Sequence, residues 1–321
     1  MVYLLLIIGF ALLIKGADWF VTGASKIAHL LRVSPVLVGL TIVAFGTGAP
    51  EATVSVIAAL EGNPGVTVGN VVGSNIINIA AVVGVTAVIF PLKVESQTVR
   101  KEIPFTLLGS IAFMALIIDV GVDSEATNLL SRGDGIVLLL FFAIFMYYVF
   151  ELAMNHRQDE ITPGVNERSD AEGGWKKNGI ITVLGLAAII LGGYWVVESS
   201  TEIAVRFGMS ETLVGLTVVS IGSSLPEFVT SITAALKKYS DLALGNIVGS
   251  CIFNVLFVLG IASVITPLPI NTEFFLDVTF MIILTFVLLI FSRTNWQVGK
   301  GEGTVLVLSY LIYLVYIIMR N

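Results

Sequence analysis

From residue 2 onward the chain alternates long apolar runs with short polar breaks. The runs fall at about 2–28, 34–60, 66–91, 103–120, 134–153, 179–204, 211–236, 242–267, 274–292 and 303–319. A bilayer core of about 30 Å is crossed by roughly 20 apolar residues in a helix, so the runs are of spanning length. The pattern predicts an all-α membrane protein with ten transmembrane helices. The longest polar stretch, from His156 to Asn178, divides the runs five and five. A first five-helix block is therefore expected over 1–155, a linker over 156–178 and a second five-helix block over 179–321. The opening MVYLLLIIGFALLI is apolar but has no basic leader and no small-residue cleavage site, so it reads as the start of the first span.

The two blocks are related. Residues 39–92 align with 215–268 at a constant offset of 176 without a gap, and 24 of the 54 positions are identical. The matches include Gly39/Gly215, Pro50/Pro226, Glu51/Glu227, Asn70/Asn246, Ser74/Ser250 and Asn78/Asn254; chance likeness between apolar segments would not match Pro, Glu and Asn in register. Five spans per block is an odd number, so the second copy enters the membrane from the opposite side. That is an inverted-topology repeat, an architecture of many secondary transporters.

Composition narrows the class further. Of 321 residues, 56% are hydrophobic and 12% charged, with a mean hydropathy of +0.96. Soluble domains run near a quarter charged, which excludes a soluble enzyme, a disordered chain and a nucleic-acid binder. The net charge of −6 matters less than where the basic residues fall. Lys26, Arg32, Lys93, Arg100, Lys101, Arg157, Arg168, Lys176, Lys177, Lys237, Lys238, Arg293 and Lys300 lie on one side of the ten-span layout. Arg132, Arg206 and Arg320 lie on the other. Thirteen against three places the first side in the cytoplasm, with both termini outside and the 156–178 loop inside a cell membrane. That loop is too short for a regulatory domain. A single cysteine, Cys251, excludes an intrachain disulfide, and His29 and His156 lie at helix ends, so a zinc or copper site is not expected.

The repeated core reads GLTIVAFGTGAPEATVS in the first block and GLTVVSIGSSLPEFVTS in the second. Proline inside a helix removes a backbone donor and clashes with the carbonyl four residues back, so beside glycine it should break each span near the bilayer midplane. Broken backbone at that depth is tolerated inside protein or against a wet cavity, where freed carbonyls can bind cations. A carboxylate there costs at least a few kcal/mol and is a functional candidate by default, which singles out Glu51 and Glu227. The next span of each block, GNVVGSNIIN and GNIVGSCIFN, supplies Asn70, Ser74 and Asn78, then Asn246, Ser250 and Asn254. Taken alone, these polar groups could equally be interhelical hydrogen bonds worth about 0.6 kcal/mol each. Beside two glutamates they complete an all-oxygen donor set, which suits hard cations such as Ca²⁺. One Ca²⁺, a pair of Na⁺ or a pair of protons would neutralise the two carboxylates. A site that takes any of these, yet is costly to leave empty and charged, is suited to exchange. Elsewhere, Lys15 and Asp18 can pair on one helix face. RGD at 132–134 reads as coincidence.

At these motifs the chain resembles the cation/calcium exchanger superfamily, and most of all the prokaryotic sodium/calcium exchangers. The resemblance rests on GTGAPE (46–51), GSSLPE (222–227), GNVVGSNIIN (69–78) and GNIVGSCIFN (245–254). It implies that spans 2, 3, 7 and 8 form the ion-binding core and that helices 1 and 6 move past it to alternate access. It also implies that Glu51 and Glu227 are central ligands shared by calcium and sodium, with Thr47 and Ser223 offering backbone carbonyls to calcium. Ser74, Asn78, Ser250, Asn254 and Ser224 match flanking positions, and the carbonyls of Ala44 and Ser220 are candidate sodium ligands. Gly48 stands where the family often has a hydroxyl residue, which removes one candidate sodium ligand. Asn254 stands where one potassium-dependent branch has Asp, which argues against potassium dependence.

The expectation is a Ca²⁺/Na⁺ antiporter with one central acidic oxygen-ligand site, not an enzyme. Its cargo would be Ca²⁺ and Na⁺, with no organic cofactor and no nucleic-acid partner, working as a monomer in the lipid bilayer. A H⁺/Ca²⁺ antiporter using the same two glutamates is the alternative, and a passive cation channel is a third reading. An intramembrane hydrolase lacks its GxSxG serine, HExxH site or paired membrane aspartates.

Overall fold

The apolar runs fold as helices and the polar breaks as short turns in the computed structural model of the chain, which describes residues 2–31, 33–118, 128–159, 174–207 and 220–320. Helix α1 is Val2–Leu31. The next run is interrupted: α2 (Pro35–Val38), a π-helical stretch (Gly39–Val43) and α3 (Ala44–Thr47) end at Gly48, and α4 (Ala49–Leu60) begins with Pro50 in its first turn. Proline is tolerated there because the first helical N–H groups have no intrahelical acceptor. Then come α5 (Pro64–Ile76), a π stretch (Ile77–Val82), α6 (Val83–Ile89), β1 (Leu92–Lys93), a third π stretch (Thr98–Glu102) and α7 (Ile103–Leu116). They are followed by β2 (Leu129–Leu130), α8 (Arg132–Asp159) and α9 (Gly174–Arg206). The remainder is α10 (Ser220–Ser223), α11 (Leu225–Leu236), α12 (Ser240–Ile252), a π stretch (Phe253–Val258), α13 (Leu259–Ile265), β3 (Leu268–Pro269), α14 (Phe274–Arg293), β4 (Gln297–Val298) and α15 (Lys300–Arg320).

Local structure follows the internal repeat to the residue. Every element boundary from Ala44 to Lys93 recurs 176 positions later: α3 as α10, α4 as α11, α5 as α12, the π stretch at Ile77 as that at Phe253, α6 as α13, and β1 as β3. Equivalent sequence thus takes equivalent backbone even at the π stretches, where the helix widens by one residue per turn.

Among the described residues, seven helices are long and apolar enough to cross a membrane, or eight if the run broken at Gly48 is one span. Two further apolar helices, α7 and α11, adjoin residues 119–127 and 208–219, which lie outside the described residues along with parts of the expected runs 103–120 and 211–236. Most of the linker, 160–173, lies outside them too. In the 18-residue apolar stretch at the heart of each run, 78% of the residues are buried for 64–89 and 83% for 240–265, against 17% for 132–154 and 11% for α15. Exposed Leu140, Ile144, Phe150, Leu308 and Ile312 on the latter two give them faces that only lipid covers cheaply. This is a mostly helical, multi-pass membrane protein.

Contacts group the chain into two units, residues 1–47 with 144–246 and residues 48–143 with 247–321. Each draws on both sequence blocks, because packing follows space and not chain order. In the first unit α1 and α9 run antiparallel through facing glycines. Gly9 meets Gly192, Gly16 meets Gly185 and Gly23 meets Thr182, in steps of seven residues along α1. A Cβ on Gly185 would lie 2.5 Å from the backbone nitrogen of Phe20, so only glycine permits this approach. In the second unit Gly84 of α6 meets Gly303 of α15, and Gly135 of α8 meets Gly260 of α13. There β1 pairs antiparallel with β4 and β2 with β3, tying helix ends together.

Candidate functional site

In the second unit Glu51 stands on the first turn of α4, three residues past the break at Gly48 and fully buried. The positive end of the helix dipole favours a carboxylate at that position. One turn on, buried Ser55 accepts from Asn70 Nδ2 at 2.9 Å, and the same Nδ2 lies 3.2 Å from the Glu51 carbonyl oxygen. Asn70 thereby fastens α5 against the turn that carries Glu51. Further along α5, Ser74 is buried, and in the following π stretch so is Asn78. Among the described residues neither Asn78 amide atom has a hydrogen-bond partner, nor do Ser250 Oγ and Asn254 Oδ1, all in buried positions. The other end of Asn254 is held: its Nδ2 donates to Asn75 Oδ1 at 3.2 Å, while Asn75 Nδ2 donates to the Cys251 carbonyl at 3.1 Å. Helices α4 and α5 and the π stretch Phe253–Val258 pack on one another, which gathers Glu51, Ser74 and Asn254 onto three touching elements.

In the first unit the equivalent pieces are Ala44 and Thr47 of α3, and Glu227 on the first turn of α11, all fully buried. Helices α3 and α11 pack together. The Thr47 hydroxyl lies 3.0 Å from the Val43 carbonyl and 3.1 Å from Asn246 Oδ1, and its single proton can serve only one of them. Asn246 Nδ2 donates to Ser231 Oγ at 2.9 Å, the counterpart of Asn70 with Ser55. Ser224 and Thr230 are buried, and their hydroxyls have no hydrogen-bond partner among the described residues. Ser223 is partly exposed, and the side chain of Ser220 lies outside the described residues. Thr47 and Ser223 are the last residues of α3 and α10.

Chemically, each unit offers a buried glutamate at a helix start, with hydroxyl and amide groups around it. Leaving a buried polar atom without a partner costs about 1–3 kcal/mol, so the set in each unit is a candidate place for an ion or water. The donors are oxygen-rich and neutral apart from the glutamates. Accordingly, no group of three or more His, Cys, Asp and Glu side chains that could hold a metal occurs among the described residues.

Sequence reading passed over several residues here. Ser55 and Ser231 are identical positions of the repeat, a signal sufficient to find them as the partners of Asn70 and Asn246. Asn75 carries no such signal, because its repeat mate is Cys251. Glu102 is fully buried at the end of a π stretch, yet beside Arg100 and Lys101 it reads as part of a charged loop. Asp277 is buried too and is paired at 3.1 Å with Arg320. Lys15 and Asp18 do pair, at 3.1 Å, and Asp18 also meets Lys237 of the same unit at 2.6 Å. Asp134 of the RGD triplet accepts from the backbone and hydroxyl of Ser131, so this acid secures the start of α8.

The family described as sodium/calcium exchanger protein matches residues 1–151 and 177–319 of the chain. Sodium/calcium exchanger MaX1 of Methanosarcina acetivorans is 32% identical, over 98% of this chain and 97% of its own length. Putative antiporter CaxA of Alkalimonas amylolytica is 37% identical, over 96% of this chain and 95% of its own. A solved structure of the sodium-calcium exchanger NCX_Mj, soaked with 2.5 mM Na⁺ and 0.1 mM Ca²⁺, superposes with a TM-score of 0.82 at 28% identity, covering 98% of this chain and 97% of that one.

Proposed function

The chain belongs to the sodium/calcium exchanger family, a family of transporters and not of enzymes, and from that premise we propose that it exchanges Ca²⁺ for Na⁺ by alternating access. The observation that carries the reading is the doubled arrangement of a buried glutamate at a helix start with partner-poor oxygens beside it. Glu51 and Glu227 are the carboxylates that bind the cargo. Ser74, Asn78, Ser250, Asn254 and Ser224 supply side-chain oxygens, and Ala44, Thr47, Ser220 and Ser223 supply carbonyls. With two carboxylates and neutral oxygens, the site balances one Ca²⁺ against Na⁺ ions and leaves no charge to occlude when loaded. An emptied site retains the charge of two buried carboxylates, which the membrane interior penalises, so the reorientation step is restricted to loaded forms.

The architecture that serves this is ten spans in two inverted five-helix repeats, 1–155 and 179–321, joined by a cytoplasmic 156–178 linker, with both termini outside and a monomer as the working unit. The recurrence of element boundaries 176 residues apart supports the repeat. The strand pairs support the alternation. β1 with β4 joins the breaks after spans 3 and 9, and β2 with β3 joins those after spans 4 and 8, each pair being on one side in a ten-span count.

The test is Ca²⁺ uptake into proteoliposomes loaded with Na⁺ and diluted into choline, beside an imposed pH gradient without Na⁺. Uptake should require internal Na⁺ and disappear in Glu51→Gln and Glu227→Gln. Uptake that follows the pH gradient and ignores Na⁺ would install the proton exchanger instead. Equilibration that needs neither gradient would replace the antiporter with a channel.

A further inference from the structure

The two asparagines that end the paired GS-containing motifs, Asn78 and Asn254, occupy equivalent positions of the repeat but are not equivalent in the structure. An asparagine amide has an oxygen end and an NH₂ end of nearly the same shape, and only the oxygen end can bind a cation. Which end points where is decided by neighbours, and for Asn254 the neighbours leave a single solution. The anchor is the carbonyl of Cys251, which can only accept. Asn75 must therefore turn its Nδ2 to that carbonyl, at 3.1 Å, and its Oδ1 away. Facing Asn75 Oδ1, Asn254 must present its own Nδ2, at 3.2 Å. Asn254 Oδ1 is then driven to the opposite side, where it is buried and has no hydrogen-bond partner among the described residues.

We propose that Asn75 is a positioning residue that fixes the Asn254 amide with its oxygen toward the transported cation. The proposal rests on the reading of Asn254 as a cargo ligand. A flipped amide would aim two N–H groups at a cation, so the value of Asn75 lies in excluding that state. The residue matching Asn75 in the second repeat is Cys251, whose thiol is too weak a donor and acceptor to do the same for Asn78. Both amide atoms of Asn78 accordingly lack partners among the described residues, and nothing there selects its flip. The repeat therefore yields one oriented amide ligand and one adaptable one. The carbonyl that anchors Asn75 belongs to its own repeat mate, since positions 75 and 251 are 176 apart.

Equilibrium Ca²⁺ binding to the purified protein, measured calorimetrically, tests this in a double-mutant cycle. Asn75→Ala should weaken Ca²⁺ binding about ten-fold, the size of one lost orienting hydrogen bond. In an Asn254→Asp background the ligand is a carboxylate with two like oxygens and needs no orienting. There Asn75→Ala should leave affinity unchanged or raise it, because the Asn75 Oδ1 that faces the amide would repel a carboxylate. Asn75→Leu, which keeps the branched four-atom skeleton and leaves no cavity, should behave as Asn75→Ala does and so separates hydrogen bonding from cavity formation. Equal weakening in both backgrounds, or misfolding of both Asn75 variants, would overturn the positioning role in favour of a structural one. Unchanged affinity in the Asn254 background would also overturn it. An unsubstituted protein that binds no Ca²⁺ would overturn the exchanger reading itself and this proposal with it.

Discussion

At the scale of single residues, the asparagines of this protein divide into holders and partner-poor groups. Asn246 is a holder: its Nδ2 donates to Ser231 at 2.9 Å and its Oδ1 lies 3.1 Å from the Thr47 hydroxyl, all three side chains being buried. Asn246→Ala removes a donor and an acceptor together, although Thr47 retains the Val43 carbonyl at 3.0 Å. We expect a loss of about 1–3 kcal/mol, seen as a lower melting temperature of the purified protein in detergent. A melting temperature equal to that of the unsubstituted protein would show that water takes over both contacts. Asn78 and Asn254, with unpartnered oxygens, should respond differently, losing ion binding while folding stability holds. The sequence makes Asn70, Asn78, Asn246 and Asn254 visible as polar breaks in apolar runs, and it makes Glu51 and Glu227 stand out by depth. It cannot separate holder from ligand, because that depends on which helix lies opposite. An Asn in an apolar run reads the same in either role.

At the scale of elements, close approach depends on glycine at a few positions. Helices α1 and α9 meet at Gly16 and Gly185, where a Cβ on Gly185 would fall 2.5 Å from Phe20 N and 2.8 Å from Gly16 O. Both obstacles are backbone and cannot swing aside, so Gly185→Ala must push the helices apart. The expected result is a clear drop in melting temperature. Gly179→Ala on the same helix, where a Cβ would meet nothing within 4 Å, should leave stability unchanged or raise it through better helix propensity. A similar melt for the two variants would refute the idea that α1 and α9 depend on this contact. The order of the apolar helices is legible in the sequence, since period and length suffice for that. The boundaries are less so. α8 begins at Arg132 and continues to Asp159, beyond the expected 134–153, because a helix can project past the bilayer where its polar end remains in water. The break in the second run was readable from Gly48 and Pro50, but the π stretches were not, as no residue type marks a one-residue widening.

At the scale of the whole molecule, the sequence divides the chain into halves while contacts group residues 1–47 with 144–246 and 48–143 with 247–321. The two divisions answer different questions: a repeat records likeness between segments, and contact records which segments share a core. What ties them to the membrane is orientation. Thirteen Lys and Arg residues against three favour a cytoplasmic 156–178 loop, and this bias acts on short connections such as these. The proposed inverted repeat adds a second, independent demand, that residue 169 and the C-terminus lie on opposite sides, because five spans would separate them. Cysteine labelling can test both demands, since Cys251 is the chain's one cysteine and is fully buried. In a Cys251→Ser background, Asn321→Cys should react with a membrane-impermeant maleimide on intact cells, and Ser169→Cys only after the membrane is opened. The mirror-image result would invert the orientation yet keep the repeat. Labelling of both positions from one side would require an even number of spans between them, and no inverted five-helix repeat survives that count.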